Sequence, residues 1–274
     1  MARNFRDKTV VVTGASLGVG AAAAREFAKT GANLVLVARG LEGLEKIAQE
    51  LSAQTEVMIS ALDVTDYVAC QRMLDSAHDR FGRIDVLVNN AGYHKRGPIE
   101  SLDPEEIPRM VEVNLSAPLF LARLILPYLE RAGGGAIVNV ASLAGMAPVP
   151  GAATYSATKF GLRAFSFALA EELADKNITV SLVSPGPIDT RFIMDNLDEV
   201  TDITGSQPMS PAQQVGAAIV AAAANESTEI AMPKSSGILA TIAYLSPSLA
   251  RRLRPKLQAK GARIKAQYRS RNRG

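Results

Sequence analysis

The segment Thr9–Gly20, with the sequence TVVVTGASLGVG, decides the fold class of this chain. Its first four residues are β-branched, which predicts a buried strand, and the remainder carries Gly14, Gly18 and Gly20, which predicts a tight turn. A glycine turn between a strand and a helix lets the backbone approach a pyrophosphate, and the helix N-terminus offers free N–H groups. Any tight turn needs such residues, however, and the spacing Gly-x-x-x-Gly-x-Gly differs from the common G-x-G-x-x-G.

Short apolar strands alternate with longer helical segments along most of the chain. The apolar runs are continuous, which is typical of a parallel sheet covered on both faces. Repeated alternation predicts an α/β fold, a single doubly wound (Rossmann-type) parallel sheet with helices on both faces. The predicted strands are Thr9–Val12, Leu34–Ala38, Val57–Ser60, Val86–Asn89, Ala136–Ala141, Thr179–Val183 and a short one near Ile230–Met232. The predicted helices are Val19–Thr30, Leu41–Leu51, Tyr67–Phe81, Pro104–Arg131, Thr154–Ala174 and roughly Pro211–Ala224.

Composition favours one globular domain in a reducing compartment. The chain has 274 residues, 47% of them hydrophobic, which suits one large core. The single Cys70 has no partner for an internal disulfide. We expect no secretory signal and no apolar stretch of the ~20 residues that a membrane span requires, so a cytoplasmic protein is expected. His78 and His94 show no metal-ligand spacing, and we interpret both as ordinary surface or loop residues.

Charge is distributed unequally along the chain. Ten Lys or Arg and no Asp or Glu lie between Arg251 and Gly274, whereas the other 20 of the 30 basic residues and all 27 acidic residues precede them. We therefore predict a dinucleotide-binding catalytic domain over residues 1–250 and a basic C-terminal extension over 251–274. The formal net charge of +3 describes neither part.

The basic extension has the pattern of an interrupted amphipathic helix. Ser246 and Pro247 are typical of the cap and the first position of a helix. Apolar residues recur near helical spacing, but Pro255 and Gly261 interrupt them, so one continuous helix is not expected. These apolar residues are Leu249, Leu253, Leu257, Ile264 and Tyr268. Such a segment could lie on an anionic membrane surface, cover the substrate cleft, contact a partner subunit, bind polyanions without specificity, or form a solvated tail.

The residue after the second strand bears on the choice of cofactor. Many NAD-binding sheets place an acidic residue there to hold the adenosine ribose hydroxyls. This chain has Ala38 followed by Arg39, and a guanidinium pairs well with a 2′-phosphate. NADP(H) is therefore favoured over NAD(H), unless Arg39 is simply an exposed residue that opens the next helix. Asp63 and Val64 follow the third strand, and the segment 89–92 (Asn-Asn-Ala-Gly) follows the fourth, where such sheets bind ligands.

Tyr155 and Lys159 lie four residues apart, so on a helix both project from one face. A phenol has an unperturbed pKa of about 10, and a nearby ammonium lowers that pKa toward the working range of an acid catalyst. Ser142 lies thirteen residues before the pair, and its hydroxyl can donate or accept a hydrogen bond. A solvated helix face produces the same Tyr–Lys spacing by chance. The pair points to hydride chemistry only in combination with Ser142 and the glycine turn.

Together these motifs resemble the short-chain dehydrogenase/reductase family, in its shorter single-domain branch. The resemblance covers roughly Lys8 to Met232. The motifs that carry it are Thr13-Gly14-x-x-x-Gly18-x-Gly20, Asn89-Asn90-Ala91-Gly92, Asn114, Ser142, Tyr155-x-x-x-Lys159 and Pro185-Gly186. Leu17 departs from the pattern, because many NADP-using members carry a basic residue there, so Arg39 would have to bear most of the phosphate preference. The basic extension matches no part of the family core.

The resemblance implies hydride transfer between a nicotinamide and a ketone or secondary alcohol. Tyr155 would be the general acid, and Lys159 would lower its pKa and hold the nicotinamide ribose. Ser142 would orient the substrate oxygen, and Asn114 would anchor a water that relays protons. No metal is expected. With the residues argued above, the expected cofactor contacts are Gly14, Ser16, Leu17, Gly18, Val19, Gly20, Arg39, Asp63, Val64, Asn90, Ala91, Gly92, Tyr155, Lys159, Pro185, Gly186, Ile188 and Thr190.

Substrate and partners are less determined by these motifs. Residues 191–210 correspond to the family's mobile lid, and their apolar members favour a lipophilic substrate but could equally pack the lid onto the body. These members are Phe192, Ile193, Met194 and Leu197. Family habit implies a homodimer or homotetramer built on the fifth and sixth helices, and no specific nucleic acid is expected. The alternatives are a catalytically silent nucleotide-binding or scaffold protein, and an epimerase or dehydratase, which usually has a longer substrate domain.

Overall fold

The computed structural model describes residues 3–189, 201–225 and 227–271, with side chains described as far as residue 266. Seven parallel strands form one sheet in the order β3-β2-β1-β4-β5-β6-β9, which confirms the doubly wound α/β fold. They are β1 (Thr9–Thr13), β2 (Asn33–Ala38), β3 (Val57–Ala61), β4 (Val86–Asn89), β5 (Gly135–Val140), β6 (Ile178–Pro185) and β9 (Glu229–Met232). Two short strands, β7 (Ile188–Asp189) and β8 (Ser210–Pro211), pair separately.

Helices pack on both faces of the sheet. They are α1 (Gly18–Ala28), α2 (Leu41–Leu51), α3 (Tyr67–Phe81), α4 (Glu106–Val111), α5 (Ala117–Arg131), α6 (Ala153–Glu172), α7 (Asp202–Gly205), α8 (Ala212–Ala223), α9 (Lys234–Leu245) and α10 (Pro247–Arg271). One core joins α1, α2 and α8 to the sheet through buried side chains such as Phe27, Leu44 and Ile219. A second core joins α3, α5 and α6 to the opposite face, with Leu74 and Ile125 fully buried. Because both faces are covered, the strands need the continuous apolar runs seen in the sequence.

The strand order reverses between β1 and β4, which lie side by side although their crossovers run in opposite directions along the sheet. Val10 pairs with Val86 and Val12 with Val88, so the two strands end at the same edge. At such a point the loops that follow the two strands separate and leave a crevice. In doubly wound sheets, such a crevice is where ligands bind.

The helix predicted over Pro104–Arg131 contains a change of hydrogen-bond pattern. Between α4 and α5, residues Glu112–Ser116 form a π-helical turn, in which the Ala117 N–H donates to the Glu112 carbonyl. Such turns are rare and often occur at functional sites. This one contains Asn114, whose side chain is completely buried.

The stretch Glu106–Arg131 is long and apolar enough to span a membrane, with a mean hydropathy of 1.4, and no other helix among the described residues passes that test. The expectation that no segment reaches this length is therefore wrong by length and composition. In the fold, α5 buries Leu121, Ile125 and Leu129 in the core against the sheet. Core packing accounts for the apolar composition of these residues.

The C-terminal region is more regular than its sequence indicates. α9 was not predicted, and α10 runs as one helix through Pro255 and Gly261, so the expectation of an interrupted helix is wrong. Tertiary packing explains the difference, because Gly261 is buried where α10 crosses α7, and a Cβ there would overlap the Asp202 carbonyl oxygen. The Lys265 ammonium also lies 3.0 Å from the Asp202 carboxylate. These contacts with the body outweigh the low helical propensity of Pro255 and Gly261.

Of the predicted lid, residues 201–210 are described and include α7 and Ser210 of β8. Residues 191–200, with the four apolar side chains used in the substrate argument, lie outside the described residues.

Candidate active site

A cavity of about 790 Å³ runs along the carboxyl ends of the strands. It brings together most of the residues predicted for cofactor and catalysis. Those that line it are Gly14, Ser16, Leu17, Gly18, Val19, Arg39, Asp63, Val64, Asn90, Ala91, Gly92, Ser142, Tyr155, Lys159, Pro185, Gly186 and Ile188. Gly20 and Asn114 are buried and do not line it, and Thr190 falls outside the described residues.

The glycine turn fits an anionic group close to its backbone. Gly14 and Gly18 have φ angles of 68° and 58°, which side chains rarely adopt. A Cβ on Gly20 would overlap the Gly14 carbonyl, so only glycine permits this approach of helix and turn. The N-cap residue of α1, Leu17, makes no side-chain cap and the first turn contains no acidic residue. The first N–H groups of α1 are therefore available to a pyrophosphate.

The loops after β1 and β4 are tied together by hydrogen bonds. The Thr13 hydroxyl accepts from the N–H groups of Asn90 and Ala91, at 2.9 and 3.0 Å, and donates to the Val88 carbonyl. The Asn90 side chain donates to the Thr13 carbonyl at 2.9 Å. The two loops that form the crevice therefore have a fixed separation before any ligand binds.

Arg39 and Asp63 both line the part of the cavity that lies beside the ends of β2 and β3. Arg39 is exposed at the end of β2 and is close enough to act electrostatically on Asp63. Burial would raise the pKa of the Asp63 carboxyl, but hydrogen bonds from Thr65 and the charges of Arg39 and Arg109 together lower it. A guanidinium that is exposed beside a ligand cleft can bind a phosphate without a large desolvation cost.

Tyr155 and Lys159 both lie on the first two turns of α6, facing the turn that follows β5. The Lys159 Nζ lies 5.7 Å from the Tyr155 ring centroid and donates to the Val140 carbonyl at 2.9 Å. Ser142 begins the turn after β5, and its hydroxyl, which accepts from the Ala144 N–H at 3.1 Å, lies close enough to Tyr155 to lower the Tyr155 pKa. Gly145 lets this turn pack against α6, since a Cβ there would meet the Lys159 carbonyl oxygen at 2.6 Å. The three side chains therefore share one wall of the cavity.

The electrostatics of this wall differ from the simple expectation that Lys159 lowers the pKa of Tyr155. Burial raises the Tyr155 pKa, and the Ser142 hydrogen bond and the Arg96 charge oppose that rise without cancelling it. Lys159 is not among the groups that shift it. Burial also lowers the pKa of the Lys159 ammonium to about 8. The buried ammonium is therefore itself close to losing its charge just above neutral pH.

Asn114 holds the loop that carries Gly92 and Tyr93. Its side-chain oxygen accepts from the Tyr93 N–H at 2.9 Å, and its side-chain amide donates to the Tyr93 carbonyl at 2.8 Å. A Cβ on Gly92 would lie 2.9 Å from that oxygen, so glycine keeps the contact free. The Asn114 side chain is thus engaged with main chain and positions the loop beside the cavity.

A buried chain of polar groups fixes α6 against the sheet. The Asn89 amide donates to the Asn139 side-chain oxygen at 2.9 Å, and the Asn139 amide donates to the Ser166 hydroxyl at 2.8 Å. Ser166 in turn donates to the Leu162 carbonyl of α6. Because buried polar groups are costly when unpaired, this chain favours one position of α6 and of the Tyr155 and Lys159 that it carries.

His94 is not the ordinary loop residue expected from the sequence. Its ring stacks on the Tyr155 ring, with centroids 4.0 Å apart and planes inclined by 11°. Burial, helped by the charges of Arg96 and Lys159, lowers the His94 pKa to about 3, so the imidazole is neutral. Arg96, four residues after the Gly92 that ends the predicted motif, also lines the cavity. No periodicity marks these two positions; only their place just after the Asn-Asn-Ala-Gly segment could have drawn attention to them.

The far end of the cavity has an apolar wall contributed by α9 and α10. Few polar groups interrupt this wall, and the cation Arg254 lies within it. Its apolar side chains are Leu239, Ala240, Ile242, Ala243, Leu249, Ala250, Leu253 and Leu257. The sequence leaves several alternatives open for the basic extension. This position agrees with the one in which the extension covers the substrate cleft.

Comparison with known proteins places these features in a family. The model of the family described as short chain dehydrogenase matches residues 8–200. An uncharacterized oxidoreductase of Staphylococcus saprophyticus is 39% identical over 191 residues, which cover 69% of this chain and 77% of that protein. The 3-oxoacyl-acyl-carrier-protein reductase FabG of Escherichia coli is 33% identical over 233 residues, covering 83% of this chain and 94% of that protein.

Solved structures agree with this result. A metagenomic short-chain oxidoreductase in complex with NADP is 33% identical, with a TM-score of 0.71, and the match covers 84% of this chain and 98% of that one. The fold, the crevice and the relatives all indicate a nicotinamide-dependent oxidoreductase. The chain belongs to the short-chain dehydrogenase/reductase family.

Proposed function

We propose that this protein is an NADP(H)-dependent carbonyl reductase or alcohol dehydrogenase that acts on a lipophilic ketone or secondary alcohol. One observation carries the proposal: Tyr155, beside Ser142 and one helical turn from Lys159, faces the same cavity as the glycine turn. An acid and a cofactor cradle on one cavity are what carbonyl reduction requires.

The nicotinamide would supply or receive the hydride. Tyr155 would give its proton to the carbonyl oxygen in reduction and take it back in alcohol oxidation. Ser142 would hold the same oxygen, so that two hydroxyl groups stabilise the developing negative charge. Lys159 would bind the cofactor ribose, whereas Ser142 and the Arg96 charge, which oppose the rise in the Tyr155 pKa, would favour the tyrosinate once the proton has left.

Asn114 would contribute to proton supply through its main chain. Its side chain is already bonded to both main-chain groups of Tyr93, so we assign to the side chain the positioning of the loop. A relay water would then be held by the Asn114 carbonyl within the π-helical turn.

The preference for NADP(H) rests on Arg39. This side chain is exposed at the cavity and has no acidic residue beside it in sequence, as a ribose-binding site for NAD would require. The complex of the 33% identical relative with NADP supports the same choice.

The proposal of a lipophilic substrate is based on the apolar wall formed by α9 and α10. The similarity to a protein named as a 3-oxoacyl-acyl-carrier-protein reductase supports a carbonyl on an apolar chain. We further propose a cytoplasmic homodimer or homotetramer, which light scattering at several protein concentrations would test.

The decisive experiment is a panel of ketones and secondary alcohols of increasing chain length, assayed with NADPH and NADH in parallel. We expect turnover with NADPH, with kcat/KM rising as the apolar chain lengthens. Equal rates with both cofactors would contradict the role of Arg39. Absence of turnover across the panel, with NADPH still bound, would favour the catalytically silent protein.

A further inference from the structure

The surface around the cavity mouth concentrates exposed apolar side chains. Nine large hydrophobic side chains are exposed in the described part of the chain, and five of them lie between Ile238 and Leu249. Ile238, Ile242 and Leu245 follow one another at spacings of four and three along α9, so they share one helix face. Leu245 is 76% exposed. Apolar side chains that cluster on one exposed surface indicate an interaction site, whereas apolar side chains scattered singly do not.

Two of these residues place the cluster at the entrance of the cavity. Ile242 is 45% exposed and Leu249 is 41% exposed, yet both line the cavity. A side chain that contacts both the cavity and the solvent lies at its rim. The exposed apolar face therefore borders the mouth of the cavity, next to the apolar wall that α9 and α10 form.

A row of cations continues this face along α10. Arg252, Lys256, Lys260 and Arg263 are exposed and follow Leu249 at spacings of three, four, four and three, which keeps all of them on one side of the helix. No Asp or Glu occurs in the sequence after Glu229. The row is therefore not neutralised by acidic residues of its own segment.

The neighbouring side of α10 is seated on the body. Leu253 and Leu257 line the cavity, and Gly261 is buried against Asp202 of α7, which also pairs with Lys265. Because these contacts fix the rotation of the helix, the cationic row faces outward.

We propose that this docking face, made of Ile238, Ile242, Leu245 and Leu249 with the row from Arg252 to Arg263, lies on an anionic lipid bilayer. The apolar side chains would enter the interface and the cations would lie at the headgroups, as in other interfacial helices. The cavity mouth then opens toward the membrane. The proposed docking to a bilayer does not depend on the proposed function. Only the passage of a lipophilic substrate from the bilayer into the cavity depends on that function.

Charge and polarity argue for lipid over other occupants. A second copy of the chain would bring its own row of cations against this one, and like charges across an interface are unfavourable. A nucleic acid would satisfy the cations but leave the exposed apolar side chains without partners. An anionic bilayer satisfies both.

The test is co-sedimentation of the full-length protein with vesicles of equal parts phosphatidylserine and phosphatidylcholine, and with vesicles of phosphatidylcholine alone. We expect binding to the anionic vesicles that weakens as salt is raised, and little binding to the neutral ones. Lys256→Ala with Lys260→Ala should weaken partitioning about twenty-five-fold, at roughly a factor of five per cation. The control, Lys46→Ala with Arg72→Ala, removes two exposed cations from α2 and α3 and should bind like the unmodified protein.

A second pair of variants tests the apolar part. Ile238→Ser with Leu245→Ser should reduce vesicle binding, whereas Leu41→Ser with Val68→Ser, which alters two apolar residues exposed elsewhere, should not. Circular dichroism and thermal unfolding would confirm that each variant is folded. All of these side chains are exposed, so folding should be retained.

Each other outcome overturns the proposal. The proposed docking face would be excluded if the protein did not sediment with anionic vesicles. It would also be excluded if the test and control pairs of substitutions had equal effects. Self-association that Ile238→Ser with Leu245→Ser abolishes, without vesicle binding, assigns the face to a second copy. Tyr155→Phe should sediment like the unmodified protein, so failure of the proposed reaction and failure of docking can be distinguished.

Discussion

The catalytic edge of the sheet and the helical wall opposite it are built on different principles. At the edge, polar side chains on loops after β1, β4 and β5 are held by hydrogen bonds to main chain, as Thr13 holds Asn90. At the wall, leucines of α10 contribute apolar surface and little else. The family model ends at residue 200, before α9 and α10 begin. Under the proposed function, the difference teaches that the reaction and the choice of substrate are determined by separate parts of the chain.

The largest expected effect separates the tyrosine of the edge from a tyrosine of α9 that does not line the cavity. Tyr155→Phe removes the proton donor, and we expect kcat for carbonyl reduction to fall about a thousandfold. NADPH binding, measured by fluorescence titration, should change little. Tyr244→Phe, on α9, is the control and should keep its activity. Comparable losses in both variants would show that the comparison is wrong.

The rigidity of the edge can be tested at Gly20. Gly20→Ala places a methyl group against the Gly14 carbonyl, and we expect the free energy of unfolding to fall by about 2 kcal/mol, in the range of overpacked cores. Denaturant titration would measure this change. Gly40→Ala is the matched control, because no heavy atom lies within 4 Å of the added Cβ. An unchanged unfolding midpoint for Gly20→Ala would mean that the turn is not tightly packed.

Arg39 tests whether the edge also chooses the cofactor. Arg39→Ala removes a charge-assisted hydrogen bond to the 2′-phosphate, and we expect the KM for NADPH to rise roughly twentyfold. The KM for NADH should stay nearly constant, which steady-state kinetics with both cofactors would show. A parallel rise for both cofactors would contradict the assignment.

Leu257 tests the wall. Leu257→Ala removes apolar contact with the substrate, and we expect the KM for long-chain ketones to rise about fivefold, with little change for a short ketone. Leu245→Ala is the control, since Leu245 is on α9 but does not line the cavity. If chain length made no difference to the loss, the wall would not contact the substrate.

The smallest effect concerns the pH dependence of the edge. Burial lowers the Lys159 pKa to about 8, so the ammonium is fully charged below that pH and loses its charge as the pH rises through it. We expect kcat/KM for NADPH to be flat near neutrality, to halve at a pH of about 8, and to fall further above it. The exposed cations of α10 should contribute nothing to this profile, so Lys256→Ala should leave it unchanged. A flat profile well into the alkaline range would contradict the role of the Lys159 charge.

The edge could be predicted from the sequence because its signals are local. Continuous valine runs specify β1 and β4, and Gly14, Gly18 and Gly20 are needed for the turn that follows β1. Parallel strands then bring the loops after them to one edge without further information. The confirmed sheet and family followed from these residues.

The wall could not be predicted because its causes are distant in sequence. Pro255 and Gly261 lower the helical propensity of their own segment, whereas the contacts that stabilise α10 come from Asp202 and the cavity. His94 likewise carries no local signal, and its stacking on Tyr155 depends on how the loop after β4 meets α6. Tertiary contact, not local pattern, determines both.

The crossing of α7 and α10 at Gly261 also sets the register of the wall. Only a residue without a side chain fits against the Asp202 carbonyl, so α10 can seat in one position along its axis. A slip by one residue would turn each leucine by about 100° around the helix, because an α-helix has 3.6 residues per turn. Leu253 and Leu257 would then leave the cavity, and their neighbours would replace them. Under the proposed function, the side chains that meet the substrate thus depend on one missing methyl group, one turn beyond Leu257 on the same side of the helix.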